Sequence, residues 1–303
     1  MPDAPRNPVI FRIPRTIRGV SKLLVWVIGV SCLNLAAHAQ IDPKSEDPLV
    51  TEAYQKLQSG DTQAALADFK AALSKNADDL SALLGSAMIY ADLAEHDMAF
   101  KTYSEIVERY PNNAFAWNGR GLAAFNMEDF DEALSSFENA TVDRPVNGFF
   151  YESLAWTRMC RGEFDEAADT AKTATLMYNR KGENTVYPLL IAYFSYLEAD
   201  RLREATATLK YASQNKPVNQ WPAPVVDYLT GAIDQSELIS YVMDSAQETE
   251  AHTYIGLRLR VEGKTDLADK HLHWVSQHGD ERVFEYTLAR ALNLRHNIAA
   301  LMP

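Results

Sequence analysis

The sequence predicts an all-α fold: an α-solenoid of about six helix-turn-helix repeats closed by a C-terminal capping helix. Three observations predict it. Alanines recur at one fixed spacing, at Ala65, Ala99, Ala133 and Ala167. Two further positions keep the same register: Phe69, Tyr103, Phe137 and Ala171, then Ala72, Ile106, Ala140 and Ala174. Strand-like alternation is scarce, whereas Ala, Leu and Glu are abundant.

Residues 1–39 are set apart from the fold. Arg12, Arg15, Arg18 and Lys22 precede an apolar run over 23–35, which Asn34 interrupts, and Ala37-His38-Ala39 offers a cleavage site before Gln40. This reads as a secretory signal peptide cut between Ala39 and Gln40, which gives a secreted, periplasmic chain. One rival is an uncleaved membrane anchor, which needs about 18 or more continuous apolar residues. The other is lipidation at Cys32, where Gly29 stands in the place that usually holds Leu or Val. A membrane contact is expected only if this segment is retained.

The net charge is −12, and −16 for residues 40–303, which lack five basic residues and one acid of the leader. Nucleic-acid binding needs basic patches and is not expected. Such an acidic chain suits a basic partner or plain solubility. Only Cys160 remains after cleavage, so no internal disulfide is expected, and a lone helix cysteine reads as a small buried apolar residue.

The elements follow in order. Residues 40–48, with Pro43 and Pro48, read as a linker. Residues 49–217 hold five repeats. Each helix pair exposes an apolar face that it cannot bury alone, and stacking neighbours buries a continuous core. Ala87, Gly121 and Ala155 are small so that paired helices approach closely, and Pro111 and Pro145 end the second helix of their repeats. Asp131-Glu132 and Asp165-Glu166 sit where a second helix begins and complement its positive end. After Asn179 an insertion at 180–184 shifts the register, and helices resume over 186–198 and 203–213, with Ala205, Leu209, Ala212 and Pro217 completing the fifth repeat. Residues 218–247 form a connector stiffened by Trp221-Pro222 and Pro224, with short helices over 225–229 and 236–243 around Gly231. Residues 248–303 hold a sixth repeat, turning at Gly263-Lys264, and a last helix over 281–295 that covers the open end.

The stretch from Ala114 to Pro145 carries a family pattern: Trp117, Gly121, Ala133, Phe137, Ala140 and Pro145 at their characteristic offsets. It resembles the tetratricopeptide repeat, a unit of two antiparallel helices, which implies a protein-binding module rather than a catalyst. A narrower resemblance lies further on, in Gln220-Trp221, Val225-Val226, Tyr228-Leu229, Gly231, Ile233, Glu248-Thr249, Tyr254-Ile255-Gly256, Gly263, Asp266-Leu267-Ala268, Glu285-Tyr286 and Ala289. These residues look like the C-terminal half of NlpI-type periplasmic adaptor proteins. That resemblance implies an all-helical homodimer that brings murein hydrolases and a protease together at the bacterial envelope. Those adaptors are lipoproteins, and this chain lacks a good lipidation motif, so their anchoring is not carried over.

Signs of chemistry are weak. Gly119-Arg120-Gly121-Leu122-Ala123-Ala124 fits a dinucleotide fingerprint, but the motif needs a strand before it and here lies inside a helix. His96, His252, His271, His273, His278 and His296 show no metal-binding spacing, and neither a metal nor another cofactor is expected. The acid cluster Glu128-Asp129 with Asp131-Glu132 reads as a solvated turn, and no spacing points to buried catalytic carboxylates. No enzyme is expected. The alternatives are a ligand-binding protein or enzyme with a site near the Trp221 connector, and a membrane-anchored assembly factor.

The expected site is the concave groove lined by the first helix of each repeat. Its candidates are Leu84, Met88, Phe115, Asn118, Leu122, Phe125, Phe149, Trp156, Tyr187 and Phe194. This face lacks the Lys and Arg that clamp a terminal carboxylate and is apolar and aromatic instead. Two occupants fit it: a partner's helix or extended peptide anchored on the aromatics, or a filling from the chain itself or a second subunit.

Overall fold

The computed structural model describes residues 47–301; the signal segment and its expected cleavage between Ala39 and Gln40 lie outside the described residues. Fifteen α-helices and no strand are found among them. Five antiparallel pairs come first: α1 (Pro48–Gln58) with α2 (Thr62–Lys75), α3 (Leu80–Asp92) with α4 (His96–Arg109), α5 (Ala114–Asn126) with α6 (Phe130–Asp143), α7 (Gly148–Arg161) with α8 (Phe164–Lys181), and α9 (Val186–Glu198) with α10 (Leu202–Asn215). Two short helices follow, α11 (Ala223–Thr230) and α12 (Gln235–Ser240). A sixth pair, α13 (Ser245–Val261) with α14 (Thr265–His278), precedes the last helix, α15 (Phe284–Leu301). The expected all-α solenoid with a C-terminal helix is the observed fold. No helix among the described residues is long and apolar enough to cross a membrane.

Helix ends repeat with the same period as the core. Asp79, Asn113 and Asn147 stand at equal spacing and cap α3, α5 and α7, their side chains accepting from the backbone N–H of Ala82, Ala116 and Phe149. Between the two helices of the first four pairs, Gly60, Ala94, Glu128 and Gly162 all turn through positive φ. A left-handed residue there reverses the chain in the space of a few residues.

The core period has a steric cause. Gly119 presses on the ring of Tyr103 from the preceding repeat, and Gly121 on the ring of Phe137 within its own. A Cβ at Gly119 would lie 2.3 Å from Tyr103 Cζ, inside contact distance. Tyr103 is itself buried and has little room to yield. Gly119→Ala should therefore lower stability by about 1–2 kcal/mol, because overpacking costs about 1–3 kcal/mol and helix propensity returns at most about 1. Urea unfolding would show it as a lower midpoint at unchanged slope.

The same contacts answer the fingerprint. Both glycines are packing residues inside α5, and Arg120 between them is engaged: its guanidinium donates to Ser104 Oγ at 3.0 Å, Ser136 Oγ at 2.6 Å and Glu132 Oε2 at 2.6 Å. It ties the second repeat to the third.

The last helix does more than the sequence implies. α15 covers α13 and α14, and it also packs across α7 in the middle of the array. Arg290 Nε pairs with Glu128 Oε1 at 2.7 Å, beside the α5–α6 turn. The first half of the last helix, around Arg290, thus returns to the third and fourth repeats.

Candidate functional site

The concave face is built by α3, α5, α7 and α9. Six of the ten residues expected to line an open groove are buried: Leu84, Met88, Asn118, Phe125, Trp156 and Phe194. Phe115, Leu122, Phe149 and Tyr187 are half-buried. The groove from the third to the fifth repeat is filled from within, by the chain itself, which is the second of the two occupants that the sequence left open. Phe284 at the start of α15 stacks on Trp156 with centroids 5.9 Å apart and planes 7° apart. It also meets Phe125 edge-on at 5.1 Å and Phe149 at 6.4 Å. On α9, Phe194 stacks on Tyr254 of α13 at 6.0 Å. The physical reason is that the repeats leave an apolar stripe, and a helix on the same chain covers it at an effective concentration that a separate partner does not match.

The remaining candidates have local partners. Phe115 meets Phe150 edge-on at 5.6 Å, and Arg144 lies over its ring at 4.8 Å. Leu122 packs against the main core. Asn118 is fully buried, and its amide has no hydrogen-bond partner among the described residues. Cys160 is buried in the core, as a small apolar residue would be.

Beneath the C-terminal helices lies a feature that local spacing did not reveal. Glu152 of α7, Glu250 of α13 and Glu285 of α15 are all buried. Each accepts hydrogen bonds from aromatic donors. Tyr178 donates to Glu152 at 2.7 Å and Tyr254 donates to Glu285 at 2.7 Å. Glu250 receives the Tyr187 hydroxyl at 3.0 Å and the Trp221 indole N–H at 2.7 Å. Burial keeps the three phenols protonated, so they serve as donors. Burial also favours the neutral carboxyls. Glu152 is pushed up to about 7, chiefly by desolvation, against which the Tyr178 bond acts, with the charge of Glu285 adding to the rise. Glu250 is held well above the usual carboxylate range by desolvation and then by Glu285, and desolvation raises Glu285 as well. These residues come from three distant stretches, so no local pattern marks them. The one signal available was that Glu152 and Tyr187 fall on concave-face positions of their repeats.

The Trp221 connector borders a cavity of about 1160 Å³, enclosed by the end of α10, residues 216–222, α11 and the start of α13. Tyr187, Trp221 and Glu250 line its inner part, and Tyr241, Met243 and Val218 its rim. No group of three or more His, Cys, Asp or Glu among the described residues can hold a metal ion. His252 and His271 approach each other at 3.2 Å between Nδ1 atoms, with His252 stacked on Trp274 at 4.0 Å. Desolvation, then the neighbouring His271, lowers His252 to about 4.

Comparison with known proteins supports the repeat reading. Residues 50–114 and 118–179 match the family model of the tetratricopeptide repeat. No curated protein matches the sequence. Among solved structures, a tetratricopeptide repeat protein from Parabacteroides merdae aligns over 81% of this chain and 98% of its own, with a TM-score of 0.58 at 13% identity. A crystal structure of MamA protein aligns over 61% of this chain and 94% of its own, with a TM-score of 0.52 at 17% identity. A second MamA structure covers 54% and 94%, with a TM-score of 0.51 at 19% identity. Likeness at such identities shows the shared fold alone. The family match covers the helix pairs from α1 to α8, and repeats of that family generally mediate protein–protein interaction.

Proposed function

We propose that this chain is a scaffold of the bacterial cell envelope that binds partner proteins and brings them together. The observation that carries this reading is the run of tetratricopeptide repeats over 50–179. The C-terminal residues that resemble the NlpI-type adaptors point to murein hydrolases or proteases as the partners, and to a homodimer as the assembly. The signal-like leader supports export to the periplasm, with cleavage after Ala39. The concave face from Phe125 to Phe194 is spent on the chain's own C-terminal helices. Partner binding therefore falls to the surfaces left outside that contact.

Crosslinking in cells followed by mass spectrometry of the osmotic-shock fraction tests the reading. The expected result is a mature chain beginning near Gln40, recovered with envelope proteins. A chain confined to the cytoplasm, or one that captures nothing beyond a secreted control of equal charge, would sink it.

A further inference from the structure

The cavity beside Trp221 has a chemistry of its own. At about 1160 Å³ it exceeds the usual range of roughly 300–1,000 Å³ for small-molecule sites. It has room for several residues of an extended chain. Its rim is apolar and open, with Val218 81% and Met243 88% exposed. The half-buried aromatic residues Tyr187 and Trp221 line the cavity further in, and the exposed Gln214 and Gln220 also belong to the lining. At the inner end is the Glu250 carboxyl group, fixed by the Trp221 indole at 2.7 Å and the Tyr187 hydroxyl at 3.0 Å.

Among the described residues, the cavity offers no cation to that carboxyl group. Lys216, the basic residue on its lining, is committed to an ion pair with Asp227. Asp244 adds a further acid on the lining. The chain as a whole carries −12. An aliphatic stem suits the rim, a cation suits the aromatic walls, and the carboxylate completes an ion pair in a desolvated place.

We propose that this cavity receives a lysine or arginine side chain carried on an extended segment of a protein partner, with Glu250 as its carboxylate and Trp221 as the aromatic wall. The proposal deepens the scaffold reading and rests on it. A free amine would fill a small part of the volume, which is why a peptide is the expected source. The groups facing Glu250 are Tyr187 on α9, Glu285 on α15, Tyr254 on its own helix and Asp244 at that helix's start, with Glu152 on α7 beyond Tyr187. All are acids or neutral phenols. Without a cation the Glu250 carboxyl keeps its proton, because burial and Glu285 both disfavour its charge. Binding a cation then releases that proton, and affinity rises with pH.

The test titrates the full mature chain by calorimetry with an end-blocked heptapeptide of alanine and leucine carrying one central lysine. The same peptide with norleucine in that place, and butylammonium, are the comparisons. The lysine peptide should bind at least tenfold more tightly than the norleucine peptide, with proton release seen as a buffer-dependent heat. Glu250→Gln should bring the two peptides to within about twofold. Met243→Lys, at an exposed rim position that folding does not need, should weaken the lysine peptide severalfold. Equal binding of the two peptides to the wild type, no binding of either, or indifference to both variants would overturn the proposal. Butylammonium binding as tightly as the lysine peptide would overturn the peptide source. Cellular crosslinks that persist without any peptide binding would overturn the pocket and leave the scaffold reading intact. Peptide binding with no cellular partner would do the reverse.

Discussion

Replacing Phe284 with alanine is expected to lower the stability of the chain by about 3 kcal/mol, since truncating a buried phenylalanine costs about 3–5. Phe284 is the hinge-pin of the concave face: it stacks on Trp156, meets Phe125 and Phe149 edge-on, and is 9% exposed. Its removal leaves a ring-sized void between α15 and the first helices of two repeats. Trp156 then gains water on one face. The melting temperature should fall by about 6–12 °C, using about 2–4 °C per kcal/mol for a domain of this size, and tryptophan emission should shift to the red. Phe284→Leu, which keeps most of the volume, should lose less than half as much. A loss below about 1 kcal/mol for Phe284→Ala, with unshifted emission, would show that α15 does not hold the groove closed.

Much of the fold was legible in the sequence because repeat packing is local. Gly121 needs only its neighbour Phe137, and Gly119 needs Tyr103 one helix back. The repeat period therefore records the contacts within and between adjacent pairs. The same register also carries the caps Asp79, Asn113 and Asn147, a signal available in the sequence beside the core pattern. What covers the concave face was not legible. Phe284 lies far beyond Trp156 in the chain, after the repeat pattern has ended, and contacts across such a separation leave no period. The final helix read as a cap for the open end, and it also reaches back across α7. The groove aromatics consequently serve two readings that composition does not separate: an anchor for a partner, or a core completed by the same chain. The buried glutamates escaped for the same reason. Glu250 and Glu285 each look like an ordinary surface position of a helix and Glu152 like a groove-facing one, and only the return of α13 and α15 onto α7 and α9 buries them together.

That burial sets an unusual dependence on pH. In the folded chain the Glu152 carboxyl is raised to about 7 from an ordinary 4.5, mainly because desolvation disfavours its charge. Between those values the folded chain holds a proton that the unfolded chain gives up. The native state then binds more protons than the unfolded one, so stability falls as pH rises through this window and levels off above about 7. Each pKa unit corresponds to about 1.4 kcal/mol, which puts the full effect for Glu152 at about 3 kcal/mol. Glu250 and Glu285 are raised in the same direction and add to it. The self-repulsion of a chain with net charge −12 also grows as the pH rises, so the wild-type slope alone does not isolate the glutamate. Glu152→Gln does. Glutamine is neutral at every pH and its carbonyl still accepts from Tyr178, as the carboxyl does at 2.7 Å. The variant should match the wild type near pH 5 and exceed it at pH 8 by about 1–3 kcal/mol, or about 2–12 °C in melting temperature. Calorimetric scans of both proteins at the two pH values decide the matter: parallel slopes would mean that Glu152 is charged in the folded chain at neutral pH, and that Tyr178 stabilises a carboxylate there rather than an acid.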